Sequence, residues 1–344
     1  MPAKKSIYRA GVIGAGAIAQ ACHMPGYQKC RYTELVAFTD PVADRHSEIQ
    51  SAFGKGVTGY TDHRVMLREA KLDVVSVATP NKFHARHVID ALEAGCHVLC
   101  EKPIAATLAE ADKMIAAAKA SRRKLMIGFT QRMISGTQKT KELLAKKTIG
   151  KPFMIRVRFA HGGPYPGWAK NSWFYNKDLA KGGAMLDMGI HAIDLCHWLI
   201  GPIVNVQAKA ATLMKKIEVD DNALLLLEFK SGALGYIEVG WTSKPGFTGF
   251  EIYGADGSII CDYFRGLQLC TGKLSAGTDS HAEWEVLDKH PTEGGWPVEI
   301  DWFIDVIRGE RKNTMDGYVG RAALAVALAA YKSSNAGRRV AVPV

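Results

Sequence analysis

The 344-residue chain has no apolar run near the ~20 residues a membrane-spanning helix requires. The longest candidates, such as Asn222 to Phe229, are short and suit buried strands. Lys4 and Lys5 near the N-terminus are not followed by a hydrophobic region, so no signal peptide is expected and a cytoplasmic protein is. Cysteine is sparse: seven residues at 22, 30, 96, 100, 196, 261 and 270, with no C-x-x-C pair. An odd, scattered set in a chain this long argues against a disulfide framework and predicts reduced, buried thiols. No segment is low-complexity, and no repeat recurs at the spacing of solenoids or propellers. Lys and Arg are in excess, giving a net charge of +10 and a pI of about 9.2, but no long basic tract concentrates them. The clusters Arg122-Arg123-Lys124 and Lys146-Lys147 fall near predicted helix ends, where cations suit the helix dipole. Nucleic acid and membrane are therefore not expected partners; attraction of anionic cofactors is the milder consequence.

What is present is a regular alternation. Over residues 8–130, apolar runs at Arg9–Ile13, Glu34–Thr39, Asp73–Thr79, His97–Cys100 and Lys124–Phe129 alternate with helical stretches, including Ala17–Lys29, Pro41–Ala52, Lys82–Ala94 and Leu108–Ala120. Continuous apolar strands separated by helices predict a doubly wound parallel sheet with both faces covered. After Gly150-Lys151-Pro152 the pattern changes. Phe153–Ala160 alternates, an aromatic loop and a helix from about Gly183 to Leu199 follow, and residues 204–290 read as strands punctuated by turns such as Lys230-Ser-Gly and Ala255-Asp-Gly. Helices near Val298–Arg308 and Gly317–Ser333 and a short strand at Arg339–Val342 close the chain. The expected architecture is α/β: a Rossmann domain over 1–130, then an α+β domain over 131–344 with a large open, mostly antiparallel sheet. The last segment is expected to pack back on the first domain.

Gly14-Ala-Gly16-Ala17-Ile18-Ala19 leaves the first strand and enters a helix, a G-x-G-x-x-A in the setting that binds a dinucleotide. Gly14 permits a tight turn, Gly16 lets backbone approach a pyrophosphate, and the helix N-terminus at Ala17 and Ile18 offers free N–H groups. The second strand ends on Asp40, placed to bind ribose hydroxyls and to repel a 2′-phosphate, so NAD is expected over NADP; Arg45 nearby favours the alternative, NADP.

Two further clusters can carry chemistry. Glu101-Lys102-Pro103 ends the fourth predicted strand, where ligands of doubly wound sheets bind; the same residues would also serve as an ion pair at a surface turn. Asp187 and His191 are four apart on one helix face, with Asp194 three further on. A histidine beside a carboxylate is a natural general base, and such a pair is also a common structural ion pair. No second ligand cluster supports a metal site, so none is expected. The loop carrying Tyr165, Trp168, Trp173, Phe174 and Tyr175 can line a pocket for a polyol ring or pack the loop onto the domain. His23, His46, His63, His87 and His281 join no constellation and are expected to be exposed.

Taken together, Gly14-Ala-Gly16, Ala78-Thr79-Pro80-Asn81 with His84, Glu101-Lys102-Pro103, Gly182-Gly183 leading to Asp187 and His191, and Asp316-Gly317 resemble the glucose–fructose oxidoreductase, inositol dehydrogenase and rhizopine catabolism (Gfo/Idh/MocA) family over nearly the whole length. The resemblance implies an NAD(P)-dependent dehydrogenase oxidising a secondary hydroxyl of a sugar, inositol or related polyol. It implies catalytic roles for Lys102 and His191, supported by Asp187, and cofactor contacts at Pro80, Asn81, His84, Glu101, Lys102 and Arg132. Gln131 departs from an asparagine common in relatives. Substrate contacts are expected from Lys102, Asp187, His191, Trp168, Trp173 and Arg158; Arg156 and Arg158 share a strand face that could instead form an interface in a homodimer or homotetramer. Two alternatives stand beside the dehydrogenase: a glycosidase of the same fold using NAD transiently, and a non-catalytic sugar or NAD sensor.

Overall fold

The computed structural model describes residues 6–169, 171–272 and 283–343; His281 lies outside them. The first sheet contains β1 (Tyr8–Ile13), β2 (Thr33–Thr39), β3 (Thr58–Tyr60), β4 (Val74–Val77), β5 (His97–Cys100) and β6 (Leu125–Ile127). Its order is β3-β2-β1-β4-β5-β6, with every pair parallel. The order reverses between β1 and β4, and the carboxyl ends there form the crevice where such sheets bind ligands. Val12, Val74, Val75, Val98 and Leu99 are buried, as expected where helices cover both faces.

The second sheet contains β7 (Pro152–Ala160), β8 (Ile203–Ala211), β9 (Asn222–Phe229), β10 (Leu234–Gly240), β11 (Phe247–Gly254), β12 (Gly257–Asp262), β13 (Gly266–Thr271), β14 (Glu285–Asp288) and β15 (Val340–Ala341). Its order is β14-β13-β12-β11-β7-β10-β9-β8-β15; all pairs are antiparallel except β7 with β10. Alternation decides its faces. Ile155, Val157 and Phe159 of β7 point into the core with the Ile190–Leu199 helix, while Arg156 and Arg158 point outward. On that outer face Arg158 pairs with Glu238 at 3.1 Å, and Leu224, Leu226 and Leu234 are exposed.

From Trp296 on, the chain returns to the first sheet. The Trp296–Arg308 helix packs on the Met24–Lys29 helix. The Ile127 N–H donates to the Met315 carbonyl at 2.8 Å, so residues beside Asp316 extend the edge at β6. The Gly317–Ala336 helix then touches the Leu108–Ser121 helix on one side and β8 and the Ile190–Leu199 helix on the other. Among the described residues no helix is long and apolar enough to cross a membrane. All seven cysteines are free thiols, five buried and two half-buried.

The alternation missed β3 and the His63–Glu69 helix. Three residues at a sheet edge give no usable periodicity. The short helix announces itself only through Asp62, whose side chain caps the Arg64 N–H at 2.7 Å.

Candidate active site

The dinucleotide cradle is formed by backbone. Gly14 has φ +92°, and a Cβ there would lie 2.6 Å from the Thr79 methyl and 2.7 Å from the Ala78 carbonyl oxygen. Any larger residue would wedge the β1 turn away from β4. A Cβ at Gly16 meets no atom within 4 Å, so open space lies over the turn where helical N–H groups begin. This matches a pyrophosphate-binding turn. Asp40 is buried at the end of β2; Oδ1 accepts from the Val42 N–H at 2.9 Å and Oδ2 from Arg45 at 2.7 Å. Arg45, half-buried, is tied to the acid rather than held free for a phosphate.

The strand ends beyond β4 and β5 carry the next layer. His84 clips them together: its ring nitrogens lie 2.7 Å from the Pro103 carbonyl and 2.8 Å from the Thr79 carbonyl. It braces the loops that bear Pro80-Asn81 and Glu101-Lys102 and leaves no ring nitrogen for a ligand. Asn81 Nδ2 donates to the Ala180 carbonyl at 2.7 Å, joining that loop to the second domain. From β5, Lys102 crosses the same cleft: Nζ lies 2.6 Å from Asp187 Oδ1 and 3.1 Å from the Asp187 carbonyl.

Asp187 sits in a π-helical turn, Met185–Gly189, that runs into the Ile190–Leu199 helix. Such bulges often mark functional sites. Asp220 fixes the turn's entry, accepting from the Gly183 N–H at 2.9 Å, the Met185 N–H at 2.8 Å and the Tyr331 hydroxyl at 2.7 Å. The approach is close enough that a Cβ at Gly183 would lie 1.9 Å from the Asp220 carbonyl oxygen. Burial pushes the Asp220 carboxyl above its ordinary value despite these donors. Sequence reasoning missed Asp220, because a cap supplied 35 residues away leaves no local pattern.

His191 is buried against Phe129, ring centroids 6.3 Å apart, and burial together with the Lys102 charge pulls its pKa well below 6.5. The ring is therefore neutral at pH 7. Its Nδ1 and Asp187 Oδ2 are both buried without a hydrogen-bond partner. Two unpartnered polar atoms beside a buried lysine–aspartate pair are unusual in a folded interior and mark a place shaped for a polar ligand. Asp187 thus pairs with Lys102, and no hydrogen bond joins it to His191.

Several expectations are corrected. Asp194 does not join the Asp187–His191 face; it binds Arg132 bidentately, with both contacts at 2.7 Å, and Arg132 Nη1 reaches the Thr314 carbonyl at 2.8 Å. Arg132 is thereby a buried tie between three chain segments. Arg158 cannot reach the cleft, because strand alternation turns it to the outer face. Trp168 is exposed and packs edge-on to Phe174, which stacks on Trp173 at 3.9 Å. The aromatic contact beside the turn that bears Asp187 comes instead from Phe174 and Tyr175, which pack against the cluster of Ala184, Val219 and Trp241. His23 and His63 are buried and His46 and His87 half-buried, against the expectation of exposure. His23 hydrogen-bonds Glu101 at 3.0 Å.

Fold and cleft together are those of a nicotinamide-dependent oxidoreductase, and comparison with known proteins gives the family. Residues 8–129 match the oxidoreductase family with an NAD-binding Rossmann fold, and residues 137–260 match the GFO/IDH/MocA C-terminal domain. The chain belongs to the Gfo/Idh/MocA family and is an NAD-binding oxidoreductase. It is 30% identical to an inositol 2-dehydrogenase/D-chiro-inositol 3-dehydrogenase of Halalkalibacterium halodurans, over 96% of this chain and 92% of the relative. It is 28% identical to the D-glucoside 3-dehydrogenase of Escherichia coli K12, over 96% of this chain and 97% of the relative. The crystal structure of the WlbA dehydrogenase from Chromobacterium violaceum, in complex with NADH and UDP-GlcNAcA, superposes with a TM-score of 0.88 at 28% identity, covering 100% of this chain and 98% of that one.

Proposed function

We propose that the protein oxidises a secondary hydroxyl of a sugar, inositol or related polyol, with Lys102, His191 and Asp187 as its catalytic residues. The observation that carries this is the pairing of Lys102 with Asp187 at 2.6 Å beside two buried, unpartnered polar atoms, Asp187 Oδ2 and His191 Nδ1. A polyhydroxylated ring supplies the donors and acceptors these atoms lack. The relatives named for inositol and glucoside substrates support the same class.

Bound NAD supplies the hydride acceptor. The Gly14–Ile18 turn and Asp40 would hold its pyrophosphate and adenosine ribose, and Pro80, Asn81 and Glu101 would border the nicotinamide end. His191, neutral at pH 7, has a lone pair free to take the hydroxyl proton. Lys102 stabilises the charge that develops on the oxygen, and Asp187 aims the ammonium group. The first domain ends near residue 130 in this scheme, and the second supplies Asp187 and His191. The decisive experiment is a panel of polyols and sugars screened for NADH formation. NADH formed from none of them, or glycoside cleavage without net NADH, would remove the proposal.

Calorimetric titration is expected to show tighter binding of NAD than of NADP, because Asp40 repels a 2′-phosphate and already holds Arg45. Tighter NADP binding would show that Arg45 leaves Asp40 for the phosphate.

The outer face of the second sheet exposes Leu224, Leu226 and Leu234 beside the pairs Arg156–Glu251 and Arg158–Glu238. Apolar residues ringed by paired charges suit a self-complementary interface. Light scattering at micromolar concentration is expected to give a dimer or tetramer; a monomer would contradict it.

A further inference from the structure

Behind the strand end that carries Lys102 lies a second group of titratable side chains. His23 ends the π-turn Ala19–His23 that follows the dinucleotide turn. Glu101 ends β5. Glu299 comes from the far end of the chain, in the first turn of the Trp296–Arg308 helix. All three are buried, and one nitrogen or oxygen of each lies within 4.8 Å of the others. Only one hydrogen bond joins them, His23 Nε2 to Glu101 Oε1 at 3.0 Å; Glu299 Oε1 and His23 Nδ1 have no partner. Glu101 Oε2 accepts from the Lys102 backbone N–H at 3.2 Å, so the cluster is coupled through one residue to the Lys102–Asp187 pair. A Cβ at Gly128 would lie 3.1 Å from Glu299 Oε1 and 3.6 Å from Glu101 Cδ, so the two carboxyls flank the backbone after β6 with no room for a side chain between them.

We propose that Glu299 is a positioning residue for the reaction: with His23 and Glu101 it completes one buried cluster that fixes the Glu101–Lys102 strand end. This rests on the assignment of Lys102 above.

Charge balance supports it. Burial opposes charge on all three groups. At His23, burial lowers the pKa, but the hydrogen bond its ring donates to Glu101 and the Glu299 and Glu101 carboxyls outweigh it and hold the ring above 6.5. At Glu101, burial pushes the carboxyl up, but His23 and Lys102 bring it below its ordinary value. At Glu299, burial pushes the carboxyl up to about 8, His23 pulls against this, and Glu101 adds to it. Glu299 therefore holds a proton at pH 7, which keeps two carboxylates from facing each other around one histidine in a dry space. The other groups near Glu299 do not alter the balance. Cys22 stays a thiol, pushed up to about 12 by burial and the two carboxyls, and Tyr27 stays a phenol. Arg132, on the Thr130–Met133 turn that packs on this helix, is spent on Asp194. Lys29 lies with Asp301 and Asp305 at the helix's outer side.

The sign follows. The folded pKa of Glu299 is raised, so its protonated form favours the fold fully below the unfolded value near 4.3, and this contribution is lost as pH rises to about 8. Above that, two carboxylates face each other behind Lys102.

The experiment compares wild type, Glu299→Gln and Glu299→Ala by infrared spectroscopy, pH–rate profiles and metal analysis. Wild type should show a protonated carboxylic acid band at pH 7 that titrates away near pH 8 and is absent from Glu299→Gln. Glu299→Gln, neutral and isosteric, should keep wild-type kcat at pH 7 within about threefold and hold it to higher pH. Glu299→Ala should lose roughly 10- to 100-fold in kcat, the scale of a small misplacement of a catalytic group, with NAD affinity little changed. A titrating band combined with wild-type kcat in Glu299→Ala would overturn the positioning role while leaving the assignment of Lys102 intact. One equivalent of a divalent cation in the purified protein, lost in Glu299→Gln, would show the cluster is neutralised by metal instead. Full activity in Lys102→Ala would remove the underlying assignment.

Discussion

Lys102→Ala and His191→Ala are expected to abolish most turnover while leaving NAD affinity nearly intact. Geometry separates the two effects. The Gly14–Gly16 turn and Asp40 belong to the ends of β1 and β2, whereas Lys102 reaches across the cleft to Asp187, on the turn that leads into the helix bearing His191. Loss of a positioned base is worth about 10²- to 10⁴-fold. Loss of a group stabilising a developing oxyanion is worth about 10²- to 10³-fold. The double variant should fall far short of the product, because groups that act together are not additive. Asp187→Asn should be milder than either, since an amide oxygen can still accept from the lysine. Steady-state kinetics beside cofactor titration, on variants with native circular dichroism, measures this. Near-normal kcat in both alanine variants would mean the chemistry lies elsewhere in the cleft.

Arg132→Met is expected to destabilise the protein by about 3–5 kcal/mol, the cost of leaving a buried charge without its partner. Asp194 has under 2% of its side chain exposed, and its two oxygens are both held by Arg132. Burial already pushes the Asp194 carboxyl above its ordinary value against the pull of Arg132. Without the arginine that rise grows, and Asp194 takes up a proton on folding. The defect should therefore be small below the unfolded carboxylate value near 3.9 and should increase as pH rises through the folded value. Arg132→Met with Asp194→Leu should recover much of the loss, because a well-packed apolar pair can replace a buried ion pair. Denaturant midpoints of the three variants across pH give the comparison. Equal midpoints for Arg132→Met and wild type would show that Asp194 finds another partner.

The positions of Asp194 and Arg132 also show why the site was only partly legible in the chain. At i+3 from His191, Asp194 belongs by spacing to the face that bears Asp187 and His191. The π-turn at Met185–Gly189 and the arrival of Arg132 from another segment assign it to structure instead. Arg158 fails for a different reason. A strand's alternation says which residues share a face, but only the packed Ile190–Leu199 helix says which face is inside.

The sequence alone determined the parallel Rossmann sheet, its glycine turn and acidic strand end, the strand-rich second domain, and the presence of Lys102, Asp187 and His191. Those features are local: strand and helix periodicity, turn chemistry and short motifs act over a few residues and repeat wherever their pattern occurs. Tertiary structure decided the partners. It paired Lys102 with Asp187 from 85 residues away, capped the entry to the Asp187 turn with Asp220, and lodged Glu299 against His23 and Glu101 from the opposite end of the chain. Polar groups carry no sequence signature of what they will meet, since a buried charge is satisfied by whichever partner the fold delivers.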